Sequence, residues 1–335
     1  MFTRKVPLYF VFLAFLISGV LLCLGFNLNK SSKAENQTAS VVTTIPSCDL
    51  NIARLKGFEF IHPLLYAEPN CESQELSSHK LEIEAVINSN KVAGNISAAS
   101  VYLREFKQAQ WISINENETY SPGSLLKVPE LIAIYKMNEL NPGFLDRSIV
   151  YNGSTANNRI ISFESKHVAV GKSYTIKELL YYMIVYSDND ATIMLNKVID
   201  KSVFNDVFSD NGLKEPVFNS SSYPITARDY SIFMKELYNA SYLNFKDSEA
   251  CLSLLSKSEF KDGLLSGLPA NSTVVHKFGE GGFDNAPNFS ESAIVYSSGK
   301  SYLLTVMTKG TDMKKLPKVI GEISKKVYEI MMSRS

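Results

Sequence analysis

The stretch Ser124–Leu140, SLLKVPELIAIYKMNEL, decides how the rest of the chain is read. Its apolar residues recur at helical spacing behind the turn-forming Ser121-Pro122-Gly123, so it reads as a helix that starts at a tight turn. That start sets the Ser124 hydroxyl and the Lys127 amine one turn apart on one face. Free backbone N–H groups at a helix start favour a developing anion, and a desolvated lysine can take the proton of a serine nucleophile. The spacing alone is a weak signal, because Ser-x-x-Lys also occurs at Ser77–Lys80, Ser258–Lys261 and Ser297–Lys300.

Working outward, a helical pattern runs from Glu72 through Leu81, Ile83, Val86 and Ile87, and two strands follow near Ala99–Phe106 and Gln110–Asn115. Beyond the quoted stretch, Thr175-Ile-Lys-Glu178 reads as a capping box that opens a helix carrying Leu179, Leu180, Met183 and Ile184. Asp190–Ile199 reads as another helix, and Thr226-Ala-Arg-Asp229 starts a third. Strands return at Thr273–Gly279, Glu291–Tyr296 and Ser301–Thr308, the last two joined by the hairpin signal Ser297-Ser298-Gly299-Lys300. A final helix carries Ile320, Ile323, Val327 and Ile330 on one face. The expected fold is therefore α/β (α+β): an antiparallel sheet built from both ends of the chain and flanked by N- and C-terminal helices. Residues of about 120–270 form an all-helical insertion, and a cleft between sheet and insertion is the natural place for a site.

Two further motifs give Ser124 company. Ser187-Asp188-Asn189 joins two helices of the insertion, and Lys277-Phe278-Gly279 lies on a predicted strand. In this order the set resembles the class A serine β-lactamases and their penicillin-recognising relatives. The likeness extends to Ser124-Leu-Leu-Lys-Val-Pro129, Thr175-Ile-Lys-Glu-Leu179, Ser187-Asp-Asn-Asp-Ala-Thr192, Gly267-Leu-Pro269 and Val306-Met-Thr-Lys-Gly310, and covers roughly residues 72–332. It implies a β-lactamase/transpeptidase-like fold and a role for each residue. Ser124 would attack the carbonyl and become acylated, Lys127 would help take its proton, and Ser187 would relay that proton to the leaving nitrogen. Asn189 would hold Lys127 and the substrate amide, and Lys277 would attract the substrate carboxylate. Gly279 and Glu280 would line the substrate edge, with the backbone N–H groups of Ser124 and Glu280 as the oxyanion hole. Asp188 reads as a structural hydrogen-bonding residue.

Two positions depart from the family pattern. Phe278 stands where the family usually has Thr or Ser, which either alters carboxylate recognition or leaves a ring packed in the core while the backbone alone matters. Glu215-Pro-Val-Phe-Asn219 resembles the element that activates the hydrolytic water, on a shorter stretch of chain. Glu215 is thus a candidate deacylation base or an exposed loop carboxylate. The implied function is opening of the β-lactam amide through an acyl-enzyme on Ser124. The rivals are a D,D-peptidase-like penicillin-binding protein acting on cell-wall peptides, and a non-catalytic envelope binding module.

The N-terminus is read separately. Val6–Asn29 carries no charge behind Arg4 and Lys5. About 20 apolar residues cross a bilayer as a helix, and the flanking cations put the remainder outside. An uncleaved anchor within residues 1–30 is favoured over a removed signal peptide, since no small-x-small cleavage site is clear. Residues 31–71 read as a spacer and N-terminal extension, and 72–335 as the catalytic domain. The expected location is the cell membrane, single-pass, with the catalytic domain outside the cytoplasm. There, oxidising conditions allow a disulfide between Cys48 and Cys71, while Cys251 reads as a small buried hydrophobe.

The 335 residues hold 34 Lys+Arg against 34 Asp+Glu, for a net charge of zero. That balance leaves no electrostatic footprint for nucleic acid. At 45% hydrophobic the chain has ample material for a core. The scattered histidines suggest no metal site, no cofactor is implied, and a monomer acting on a small-molecule substrate is expected.

Overall fold

A computed structural model of the chain describes residues 48–153, 163, 165–217, 223–283 and 285–334. The expected anchor within residues 1–30, and Asn219, lie outside the described residues. Among the described residues no helix is long and apolar enough to cross a membrane.

Five antiparallel strands form the central sheet: β3 (Ala98–Glu105), β4 (Trp111–Ile114), β7 (Thr273–Phe283), β8 (Ala286–Ser297) and β9 (Lys300–Lys309), in the order β4-β3-β9-β8-β7. Strands from before and after the helical region thus lie side by side, with Ala99 opposite Thr308 and Val101 opposite Val306. The β8–β9 hairpin closes with Ser297 opposite Lys300, and Ser298 and Gly299 both adopt positive φ, as a type I′ turn requires.

Two helices cover one face of the sheet, α1 (Lys80–Val92) and α8 (Leu316–Ser333). Their Ile83, Ile87, Val319, Ile320, Ile323 and Val327 share a core with Val101, Leu103, Leu304 and Val306. The other face, through Tyr102, Val275, Ile294, Leu303 and Met307, joins the core of the helical region. That region comprises α2 (Lys127–Leu140), α3 (Ile176–Val185), α4 (Asn189–Asn196), α5 (Lys201–Ser209), α6 (Ala227–Asn239) and α7 (Phe245–Leu255). Side-chain caps set most of its helix starts. Thr175 and Glu178 form the expected capping box on α3, and Thr226 accepts from the Asp229 N–H on α6. Asp188, Asp200 and Asn244 cap α4, α5 and α7.

The structure also differs from the sequence reading in places. The helix expected from Glu72 is a single turn, Gln74–Ser77, followed after a break by α1. The stretch expected as spacer and extension contains a hairpin of β1 (Leu50–Arg54) and β2 (Leu64–Pro69). Cys48 and Cys71 form a disulfide at its base, and Cys251 is free and buried. From β2, buried Glu68 meets Arg104 at 2.8 Å and Arg228 at 3.4 Å, and pairs with buried Lys235 of α6. The hairpin is therefore fastened to both the sheet and the helical region. A further short pair, β5 (Ser148–Val150) with β6 (Ser173–Thr175), leads into α3.

Candidate active site

Ser124 lies in a 3-10 turn, Gly123–Leu126, that runs straight into α2. The tighter turn continues the helix direction, so Lys127 follows Ser124 on the same face. Gly123 has φ +53°, and a side chain there would collide with the Glu280 carbonyl oxygen of β7. Across the same contact, a Cβ on Gly279 would stand 2.7 Å from the Leu125 nitrogen and 3.0 Å from the Ser124 nitrogen, and closer still to the Pro122 carbonyl. Glycine at 279 is what allows β7 to lie against the nucleophile turn, which sets the Ser124 N–H beside the Gly279–Glu280 backbone.

Lys127 is buried and fully used. Its Nζ donates to the Ser187 carbonyl oxygen at 2.6 Å, to Asn189 Oδ1 at 2.9 Å and to Ser187 Oγ at 3.3 Å. Lys277, wholly buried on β7, donates to the same Ser187 Oγ at 2.9 Å and to the Phe278 carbonyl at 3.0 Å. Two lysine amines thus converge on one hydroxyl. Burial lowers the Lys127 amine to about 8, against the pull of Glu130, Asp188 and Glu280. Burial, and then the Lys127 charge, hold Lys277 well below the usual lysine range.

The loop that presents Ser187 is locked from behind. Ser187 sits at φ +55°, a left-handed conformation that costs a non-glycine residue about 1–3 kcal/mol and persists where the surrounding structure over-determines the backbone. Asp188 has its carboxylate saturated: Oδ1 accepts from the Asp190 N–H at 2.9 Å and contacts His167 Nδ1 at 3.2 Å, while Oδ2 accepts from the Val168 N–H at 2.9 Å.

The structure therefore brings Ser124, Lys127, Ser187, Asn189, Lys277, Gly279 and Glu280 to one place, where the chain can run a serine–lysine proton exchange with a hydroxyl relay. Glu215 is engaged by a different partner. It is exposed, its Oε2 accepts from Asn205 at 2.9 Å, and it is not among the charges acting on Lys127. The Phe278 ring is packed in the core. The residue is 1% exposed, with its ring 4.2 Å from Phe260 and stacked on Phe289 at 5.9 Å, and the Lys277 Nζ lies over the same ring, 4.1 Å from its centroid.

One residue was passed over in the sequence. Glu130 follows Lys127 by one further turn, with its Oε2 enclosed and without a hydrogen-bond partner. Burial raises its carboxyl to about 7, with Lys127 and the Asn196 amide pulling it down. The repeated spacing Ser124-x-x-Lys127-x-x-Glu130 was the signal available for it.

Sequence comparison matches residues 80–331 to the beta-lactamase enzyme family. The chain belongs to that family. Solved structures similar to it include a PBP-A variant as an acyl-enzyme complex with penicillin G, at 18% identity and TM-score 0.63 over 75% of this chain and 96% of that one. A β-lactamase from Chitinophaga pinensis is similar at 16% identity and TM-score 0.65, over 75% and 99% of the two chains. The TLA-3 extended-spectrum β-lactamase gives 16% identity and TM-score 0.65, over 75% and 98%. At these identities the likeness establishes the fold, a β-lactamase/transpeptidase-like one. No curated protein matches the chain.

Proposed function

We propose that the protein is a serine hydrolase that opens the β-lactam amide through an acyl-enzyme on Ser124. The observation that carries this reading is the convergence of Lys127 and Lys277 on Ser187 Oγ. With its amine lowered to about 8, Lys127 supplies neutral base near neutral pH. It takes the Ser124 proton as Oγ attacks the ring carbonyl. Ser187, bonded to both lysines, then passes a proton to the departing nitrogen. The backbone N–H groups of Ser124 and Glu280 receive the carbonyl oxygen. With Phe278 turned into the core, recognition of the substrate carboxylate falls to Lys277 and the β7 backbone. The charge-free Val6–Asn29 span behind Arg4 and Lys5 supports an exported enzyme held at the membrane.

The position of Glu215, exposed and bonded to Asn205, favours a second reading: rapid acylation with slow release, as a penicillin-binding protein behaves. A chromogenic cephalosporin separates the two. Steady turnover that disappears in Ser124→Ala supports the hydrolase. A stable adduct in the intact mass with little turnover supports the penicillin-binding reading. Absence of both adduct and turnover overturns both.

A further inference from the structure

The β1–β2 hairpin lies outside residues 80–331 that carry the family likeness, and its two faces differ. Inward, Leu65 is buried in the core, with Ala53, Leu55 and Tyr66 packed against it. Outward, the cross-strand pairs Leu50–Pro69 and Ile52–Ala67 share a face, since side chains alternate along a strand. Leu50 is 60% exposed there and Ile52 50%. The loop at residues 56–62 extends the apolar surface with Phe58, Phe60 and Ile61, and Phe60 is 85% exposed. Six of the fifteen large apolar side chains exposed among the described residues fall between Leu50 and Leu64, and such crowding marks a contact surface.

The hairpin holds its shape. The Leu55 N–H donates to the Pro63 carbonyl at 2.9 Å, and Arg54 Nη1 donates to the His62 carbonyl at 2.7 Å. The Cys48–Cys71 disulfide and the Glu68 cluster fasten its base. From Cys48 to Leu64 the charged residues are Asp49, Arg54, Lys56 and Glu59, two of each sign, with His62 beside them. The surface thus offers apolar contact with no net electrostatic pull. The chain that precedes it indicates what covers it. The charge-free span of residues 6–29 leads through residues 30–47 straight to Cys48 at the base of the hairpin. Those 18 residues reach at most about 60 Å when extended, and about 20–25 Å as a flexible chain. A bilayer that holds the span is therefore always close to the hairpin.

We propose that the outer face of the β1–β2 hairpin docks on the lipid surface, seating Phe58, Phe60 and Ile61 at the boundary between headgroups and acyl chains. This rests on the reading of residues 6–29 as a membrane anchor. The span attaches the chain, and the hairpin holds the catalytic domain against the bilayer instead of at the end of a free tether. Apolar side chains enter the boundary in proportion to the area they remove from water. The tether supplies the high effective concentration at which this second contact forms.

The test uses the full chain reconstituted into phosphatidylcholine vesicles, with or without bromine on the acyl chains, which quenches tryptophan at close range. Trp111, the one tryptophan of the chain, is buried beneath the Arg228 guanidinium, and wild type supplies its background. Phe60→Trp adds a second on the loop, and Phe245→Trp adds one at a comparably exposed position at the start of α7. Side chains seated about 5–10 Å into the boundary should lose at least about twofold of their fluorescence to bromine, which is the expectation for Phe60→Trp. Phe245→Trp should hardly change. Quenching at residue 60 no greater than at residue 245 overturns the proposal. Shielding of residue 60 from aqueous iodide only at high protein density, without bromine quenching, also overturns it and assigns the face to a second copy of this chain. If Phe60→Trp fails to fold, Ile61→Trp is read by the same criteria. Flotation separates the docking from the anchor. A chain that does not float with vesicles overturns both, whereas one that floats without selective quenching overturns the docking alone.

Discussion

Replacing Gly279 with alanine adds one methyl group at the contact between β7 and the nucleophile turn. The new carbon would stand 2.7 Å from the Leu125 nitrogen and 3.0 Å from the Ser124 nitrogen, where ordinary contact begins at 3.4 Å, and the Pro122 carbonyl oxygen lies closer still. All three neighbours are backbone, so no side-chain rotation relieves the overlap. Strand and turn must part by something on the order of an ångström, in an interior packed as densely as a crystal. A misplacement of about 1 Å at reacting groups costs roughly 100-fold in rate, and overpacking of this kind costs about 1–3 kcal/mol in stability. The expected outcome for Gly279→Ala is therefore a folded protein that melts a few degrees lower and acylates about 100-fold more slowly. The assay is the second-order rate of covalent adduct formation with a chromogenic cephalosporin, followed by intact mass, beside a thermal melt. Acylation within about twofold of wild type would refute the reasoning, because it would mean that the β7–turn distance does not control the chemistry.

Other substitutions test the rest of the structure. Glu68→Gln leaves Arg104, Lys235 and Arg228 facing no carboxylate in a buried cluster, and thermal or denaturant unfolding should show a loss of about 3–5 kcal/mol. Phe278→Ala empties the space beside Phe260 and Phe289, and the same measurement should show a loss of about 3–5 kcal/mol. Glu236 on α6 is buried, and burial pushes its carboxyl up to about 8. The native state keeps a proton that the unfolded chain has released, so this residue erodes stability as pH rises from the ordinary carboxylate range through about 8. Glu236→Gln should therefore raise the melting temperature at about pH 9 and change it little at about pH 5, and an equal change at both pH values would count against it.

Much of the fold was legible in the chain because its long elements are strongly periodic. The strands at Ala98–Glu105 and Lys300–Lys309 came within a few residues of their expected bounds, and the helix at Leu316–Ser333 contains the four apolar residues expected on its face. Four short strands were not legible. β1, β2, β5 and β6 hold too few residues for alternation to stand out, and they exist because a disulfide, the Glu68 cluster or a neighbouring strand holds them. The break between Gln74–Ser77 and α1 also escaped, since one apolar pattern continues across both.

At the site the same division holds. The order Ser124–Lys127, Ser187–Asn189, Lys277–Gly279 named the residues that meet, because each motif encodes its own local geometry: a helix start, a strained turn, a strand with a glycine. The sequence by itself determined which chemical groups this protein carries, and that two ends of the chain form one sheet. Only the tertiary structure decided which way the ambiguous groups face. Phe278 points into the core, where its ring packs on Phe260 and Phe289, while Lys277 passes over that ring to reach Ser187. Glu215 stays in solvent on Asn205, while Glu130 is carried inward because its helix turns it toward α4. Direction depends on what packs against an element, and that partner lies far away in the chain.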